Sequence, residues 1–105
     1  MKEEIEITTN EYGTIEYRLN GQLHNTDGPA VIRKNGRRKY WYIKGLLHRE
    51  DGPAIEWTSG YKAWWINGRR HREDGPAVEY SNGNKEWCLD DVQYTEKDFN
   101  NKIKE

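Results

Sequence analysis

A seven-residue block recurs three times in this 105-residue chain and constrains its fold more than any other feature. It reads His24-Asn-Thr-Asp27-Gly-Pro-Ala30, then His48-Arg-Glu-Asp51-Gly-Pro-Ala54, then His71-Arg-Glu-Asp74-Gly-Pro-Ala77, at steps of 24 and 23 residues. An aromatic column keeps the same beat at Tyr17, Trp41, Trp64 and Trp87, and an aliphatic column follows two residues later at Leu19, Ile43, Ile66 and Leu89. Next comes a turn pair: Asn20-Gly21, Lys44-Gly45, Asn67-Gly68 and, in decayed form, Asp90-Asp91. Internal periods of this length mark folds in which each repeat is one supersecondary unit stacked on its neighbours.

Each unit reads as a β-hairpin. After Pro-Ala stands a β-branched residue (Val31, Ile55 or Val78), then a turn dipeptide (Asn35-Gly36, Ser59-Gly60 or Asn82-Gly83), and Asn-Gly suits a tight two-residue hairpin turn. The returning strand carries the aromatic and aliphatic columns two residues apart, hence on one face. That spacing predicts Trp41, Trp64 and Trp87 in the core, with Arg18, Tyr42, Trp65 and Cys88 on the opposite, more exposed face and Cys88 packed beside Trp87. The expected fold class is all-β, an antiparallel meander of tandem hairpin repeats of about 23 residues with a short C-terminal capping helix.

One domain over 1–105 is expected: N-terminal cap strands at 1–19, repeats at 20–43, 44–66 and 67–89, and a degenerate repeat with a helix at 90–105. Ile5, Ile7 and Ile15 suggest a divergent strand pair at the start. At the other end Thr95 is a suitable N-cap, Glu96 and Asp98 suit the first turn of a helix, and Phe99 and Ile103 share one helical face.

Composition limits the function classes. Charged and apolar residues each make up 33%, yet five Trp and seven Tyr supply enough ring surface for a folded domain. A net charge of −1 argues against a general nucleic-acid or membrane-surface binder. With Cys88 alone, no internal disulfide can form, and no apolar run resembles a signal peptide or a membrane span. A cytoplasmic address follows, the host cytoplasm if the chain is viral.

The stretch Trp64-Trp-Ile-Asn-Gly-Arg-Arg-His-Arg-Glu-Asp-Gly-Pro-Ala-Val-Glu-Tyr-Ser-Asn-Gly-Asn-Lys-Glu-Trp87 resembles the MORN class of β-hairpin repeats. It departs from that class in having Asp-Gly-Pro-Ala after the His. This variant is similar to tandem repeats in uncharacterised proteins of bacteriophages, large DNA viruses and some bacteria. The likeness spans residues 17–94 and implies a protein-interaction or scaffolding module.

Catalytic and metal readings compete poorly with a structural one. His48 with Asp51 and His71 with Asp74 resemble acid/base dyads, but a catalytic site is needed once and these pairs recur with Gly and Pro, as a turn motif would. Asp27, Asp51 and Asp74 are therefore read as structural, accepting backbone N–H groups, and the His as donating to a neighbouring carbonyl to link adjacent repeats. No zinc-like spacing exists, and neither a metal nor a cofactor is expected.

The arginines are more suggestive. Arg37 and Arg38 (with Lys39) form one cluster and Arg69 and Arg70 (with Arg72) another, while Arg49 and Arg72 are equivalent loop positions. They either pair with Glu50, Glu56, Glu73 and Glu79 on a solvated face, or line a binding edge near Tyr42 and Trp65, with His48 and His71 beside it. The expectation is a non-enzymatic binding module, a phage- or virus-encoded factor that binds and modulates or inhibits a host protein. The alternatives are a module that sequesters a nucleotide or nucleotide second messenger at the Arg/aromatic edge, and a scaffolding repeat protein. A protein partner leads, another anionic small molecule is the other candidate, and exposed sheet edges allow a homodimer.

Overall fold

The computed structural model describes residues 4–105, so the first three residues of the expected N-terminal cap lie outside the described residues. The chain forms β1 (Glu6–Thr9), β2 (Ile15–Leu19), β3 (Gln22–Leu23), β4 (Val31–Arg33), β5 (Arg38–Tyr40), β6 (Tyr42–Ile43) and β7 (Leu46–Leu47). It continues through β8 (Ile55–Trp57), β9 (Lys62–Ala63), β10 (Trp65–Ile66), β11 (Arg69–Arg70), β12 (Val78–Glu79), β13 (Lys85–Leu89), β14 (Val92–Tyr94) and α1 (Glu96–Ile103). Among the described residues one antiparallel sheet runs in the order β1-β2-β4-β5-β8-β9-β12-β13-β14 with β3 beside β2, and β6–β7 and β10–β11 form two short ribbons. The fold is thus mostly antiparallel β with one C-terminal helix, and it is thin, about 44 × 34 × 17 Å.

Two kinds of turn close the hairpins: the turn pairs that follow the aliphatic column are tight two-residue turns, whereas the dipeptides after Pro-Ala lie in longer loops. Two-residue turns occur at Asn20-Gly21, Lys44-Gly45, Asn67-Gly68 and Asp90-Asp91, where φ is 52/80, 50/81, 50/79 and 48/68°. Positive φ at both positions defines the tight turn whose twist matches its flanking strands. Ser59-Gly60 and Asn82-Gly83 instead end three-residue loops, closed by Trp57 N–H to Tyr61 O (2.9 Å) and Tyr80 N–H to Asn84 O (2.8 Å). Asn35-Gly36 lies in a four-residue loop, since Arg33 pairs directly with Arg38.

The core is made of small residues. Ala30, Ala54 and Ala77, the last residues of the repeated block, are fully buried, as are Ala63 and Cys88, with Val31, Val78 and Phe99 nearly so. Each of the first three alanines sits at a backbone crossing: Ala54 N–H donates to Ala63 O (2.8 Å) and Ala54 O accepts from Trp41 N–H (2.7 Å). Backbones that close leave room for a methyl group and little more. The Trp column is not the core. Trp41, Trp64 and Trp87 are half-buried; the first two stand where the chain leaves the large sheet, between β5 and β6 and between β9 and β10. That break undoes the strict alternation on which the inward assignment rested. The opposite column is no more exposed: Tyr42 and Trp65 are half-buried too, and Cys88 is sealed.

Registers sort the rest. Val31, Tyr40, Ile55, Ala63, Val78 and Glu86 form one row of direct partners across the sheet. The next row, on the other face, alternates charge through Lys39, Glu56, Lys62, Glu79 and Lys85. Opposite charges on directly paired residues attract, which helps fix strand order where the apolar content is low. At the C-terminus Thr95 Oγ1 accepts from Asp98 N–H (3.1 Å), capping α1, which packs on β13 and β14 with Phe99 buried and Ile103 exposed.

Candidate functional site

The repeated block forms a loop at the same edge of the molecule each time, and its histidine ties that loop to the next turn. His24 Nδ1 accepts from Lys44 N–H (2.9 Å), His48 Nδ1 from Asn67 N–H (3.0 Å) and His71 Nδ1 from Asp90 N–H (3.0 Å). The link between neighbours is there, but its direction is the reverse of the one expected: the ring accepts. Each Nδ1 must then be unprotonated, with the ring hydrogen on Nε2. In His71 that Nε2 stands 3.1 Å from Glu73 Oε2.

Arginine finishes the loop. Arg49 Nε donates to Asp51 Oδ1 (3.0 Å) and its Nη1 to Pro53 O (3.1 Å), while the guanidinium lies over the Trp41 ring, 4.0 Å from the centroid. Arg72 repeats this with Asp74 (2.8 Å), Pro76 O (3.0 Å) and the Trp64 ring (3.8 Å), and adds an ion pair to Glu79 (3.0 Å). In the first copy Asn25 replaces Arg and Tyr17 replaces Trp, and Asn25 Nδ2 makes the bond to Pro29 O (3.1 Å). Asp51 and Asp74 therefore hold an arginine, where a backbone N–H partner was expected. The Arg72 hydrogen bond and charge lower the Asp74 carboxyl below the usual carboxylate value.

Between successive loops lie two equivalent clefts, of about 790 and 840 Å³. Trp41 and Ile43 line the first, between the Asn25–Gly28 and His48–Asp51 segments; Trp64 and Ile66 line the second, between Arg49–Gly52 and His71–Asp74. The middle members of the columns assigned to the core, Trp41, Ile43, Trp64 and Ile66, thus line clefts. The arginine side chains are only 23% and 21% exposed, whereas Glu50, Asp51, Glu73 and Asp74 are 86, 88, 74 and 84% exposed. The charge that this edge presents is negative.

The other candidates are elsewhere. Tyr42 and Trp65 line neither cleft. Arg69 is exposed at a turn, and Arg70 pairs with Asp91 (3.4 Å) and Glu86 (3.9 Å). Arg37 and Arg38 stand at the far end of the β4–β5 hairpin, Arg38 over Trp57 at 4.1 Å. Burial raises the Cys88 thiol, which keeps it protonated and unreactive. Among the described residues no three His, Cys, Asp or Glu side chains gather as metal ligands, and no helix is long and apolar enough to cross a membrane.

What the sequence reading missed was the partnership of Trp41 and Trp64 with the Arg eight residues later. The signal was present, since Trp and Arg change together to Tyr17 and Asn25. No protein-family model, curated protein or solved structure matches the chain.

Proposed function

We propose that this chain is a non-enzymatic binding module, a meander of tandem hairpin repeats of the MORN type, whose clefts hold a basic, extended segment of a protein partner. The observation that carries the reading is the inversion of charge at the loop edge. Arg49 and Arg72 are drawn onto Trp41 and Trp64 and held by Asp51 and Asp74, so the exposed groups around each aromatic-lined cleft are carboxylates. A Lys or Arg stem can lie along an indole while its charge meets Glu50 or Glu73.

Spacing supports an extended ligand. Each copy contributes two strands to the large sheet, so its clefts repeat at about 10 Å, close to one three-residue turn of an extended polyproline II segment, whose every third side chain points the same way (about 9 Å). A segment with a basic residue at every third position would fill both clefts. The likeness to phage and viral repeats supports a factor that modulates a host protein, and the paired clefts also suit a scaffolding role.

Affinity capture from host lysate with the wild-type chain and with Glu50→Lys/Glu73→Lys tests the reading. A basic partner retained by the first and lost by the second, with melting temperatures alike, is the expected outcome. Partners indifferent to the reversal would contradict it, as would a nucleotide that raises the melting temperature through these clefts.

A further inference from the structure

A second site lies at the opposite end of the β4–β5 hairpin. The step between repeated blocks is 24 residues once and 23 the next time, and the extra residue falls in this hairpin's turn. The comparable loops, closed by Asn10/Thr14, Trp57/Tyr61 and Tyr80/Asn84, hold three residues. Here Arg33 pairs with Arg38 and four residues intervene, of which Lys34, Asn35 and Gly36 all have positive φ (54, 56 and 89°). In repeat proteins, insertions confined to one copy commonly belong to a binding face.

The residues in this turn are cationic and unpaired. Arg18, Arg49, Arg70 and Arg72 each have a carboxylate partner. Among the described residues Arg33, Lys34, Arg37 and Arg38 form no ion pair, although Arg33 and Arg38 are direct cross-strand partners. Arg33 lies over the Tyr40 ring (5.6 Å) and does not line the notch, but Lys34, Arg37 and Arg38 do, and an anion among these like charges removes their mutual repulsion. Arg38 is already positioned for one, its guanidinium 4.1 Å from the Trp57 ring centroid. Thr58 N–H donates to Arg37 O (2.8 Å), fastening this turn to the next, where Thr58 and Ser59 bring hydroxyl groups.

We propose that Lys34, Arg37, Arg38, Trp57, Thr58 and Ser59 form a binding site for a phosphate monoester. The notch they line measures about 280 Å³, enough for a phosphoryl group and a small part of what carries it. A dianion with three acceptor oxygens matches two guanidinium forks, an ammonium and two hydroxyls better than a singly charged carboxylate does. The site shares no residue with the loop clefts and stands or falls separately from them.

Backbone amide NMR titrations of the whole chain test it, using inorganic phosphate, O-phosphoserine and adenosine monophosphate against sodium chloride of matched ionic strength. Saturable shifts confined to residues 34–38 and 57–60 are expected with all three phosphates. Lys34→Ala/Arg37→Ala, both exposed and so neutral to folding, should weaken binding at least about tenfold (about 1.4 kcal/mol). Tighter binding of phosphoserine would mark a phosphorylated side chain as the source, tighter binding of the nucleotide a free nucleotide, and equal binding recognition of the phosphoryl group alone. Shifts matched by chloride, spread over the surface, or unchanged in the double variant with its melting temperature intact would overturn the site.

Discussion

Arg72 covers Trp64: the guanidinium carbon stands 3.8 Å from the ring centroid while Nε donates to Asp74 and Nη1 to Pro76 O and Glu79. An arginine held in this way is part of the loop's structure. Replacing an exposed loop charge typically changes stability by less than about 0.5 kcal/mol. Arg72→Ala should cost about 1–2 kcal/mol, since it removes a partly desolvated cation–π contact and a backbone hydrogen bond together. Arg72→Lys should recover less than half, because an ammonium cannot cover the ring and bridge both partners at once. Denaturant melts of the three proteins measure this, and a loss within about 0.5 kcal/mol for Arg72→Ala, as for a free surface charge, would refute it.

The histidine links should differ in strength. His48→Ala leaves Asn67 N–H near the surface, where water replaces the lost acceptor, and should cost roughly 1 kcal/mol. His24 is buried, so His24→Ala removes the acceptor of Lys44 N–H and opens a cavity as well, for roughly 2–3 kcal/mol. Equal losses at the two positions would show that the inter-loop hydrogen bond, and not burial, sets the cost.

Ala54 has no room to grow. It is fully buried where Trp41 N–H meets its carbonyl at 2.7 Å, so Ala54→Leu should destabilise by about 2–3 kcal/mol or prevent folding. Ile55→Leu, one residue on and half-buried, is the control and should cost less than about 1.5 kcal/mol.

These alanines show what could be read in advance. The all-β class and the short helix follow from column spacing and from Thr95, since they depend on local chemistry and period. The core does not, because period-2 reasoning assumes an unbroken strand. At Trp41 and Trp64 the backbone leaves the large sheet, which makes Ala54 and Ala77 the buried residues and turns the indoles into cleft lining. The site was half legible. His48, Arg49 and Asp51 do share one loop, as His71, Arg72 and Asp74 share the next, but whether Arg49 meets solvent or Trp41 depends on a loop path that no pairwise spacing encodes.

Acid should weaken the loop through Asp74. Its carboxyl is held below the usual value near 3.8, first by the Arg72 hydrogen bond and then by its charge. A lowered folded-state value means the contribution is complete above the unfolded value and is lost as pH falls through the lower one. A carboxyl-detected NMR titration should place the Asp74 midpoint below 3.8 in the wild type and return it to the ordinary range in Arg72→Ala. The same midpoint in both proteins would remove Arg72 as the cause.

The loop edge carries a pair of carboxylate-bordered, tryptophan-lined clefts. Indole Nε1–H signals of Trp41 and Trp64 report on it directly during titration with two short extended peptides, one with Arg at every third position and one with Asp in its place. Shifts are expected at both indoles and at residues 49–51 and 72–74 with the Arg peptide alone, reduced in Glu50→Lys/Glu73→Lys. Shifts produced by the Asp peptide, or confined to Tyr42 and Trp65, would contradict this.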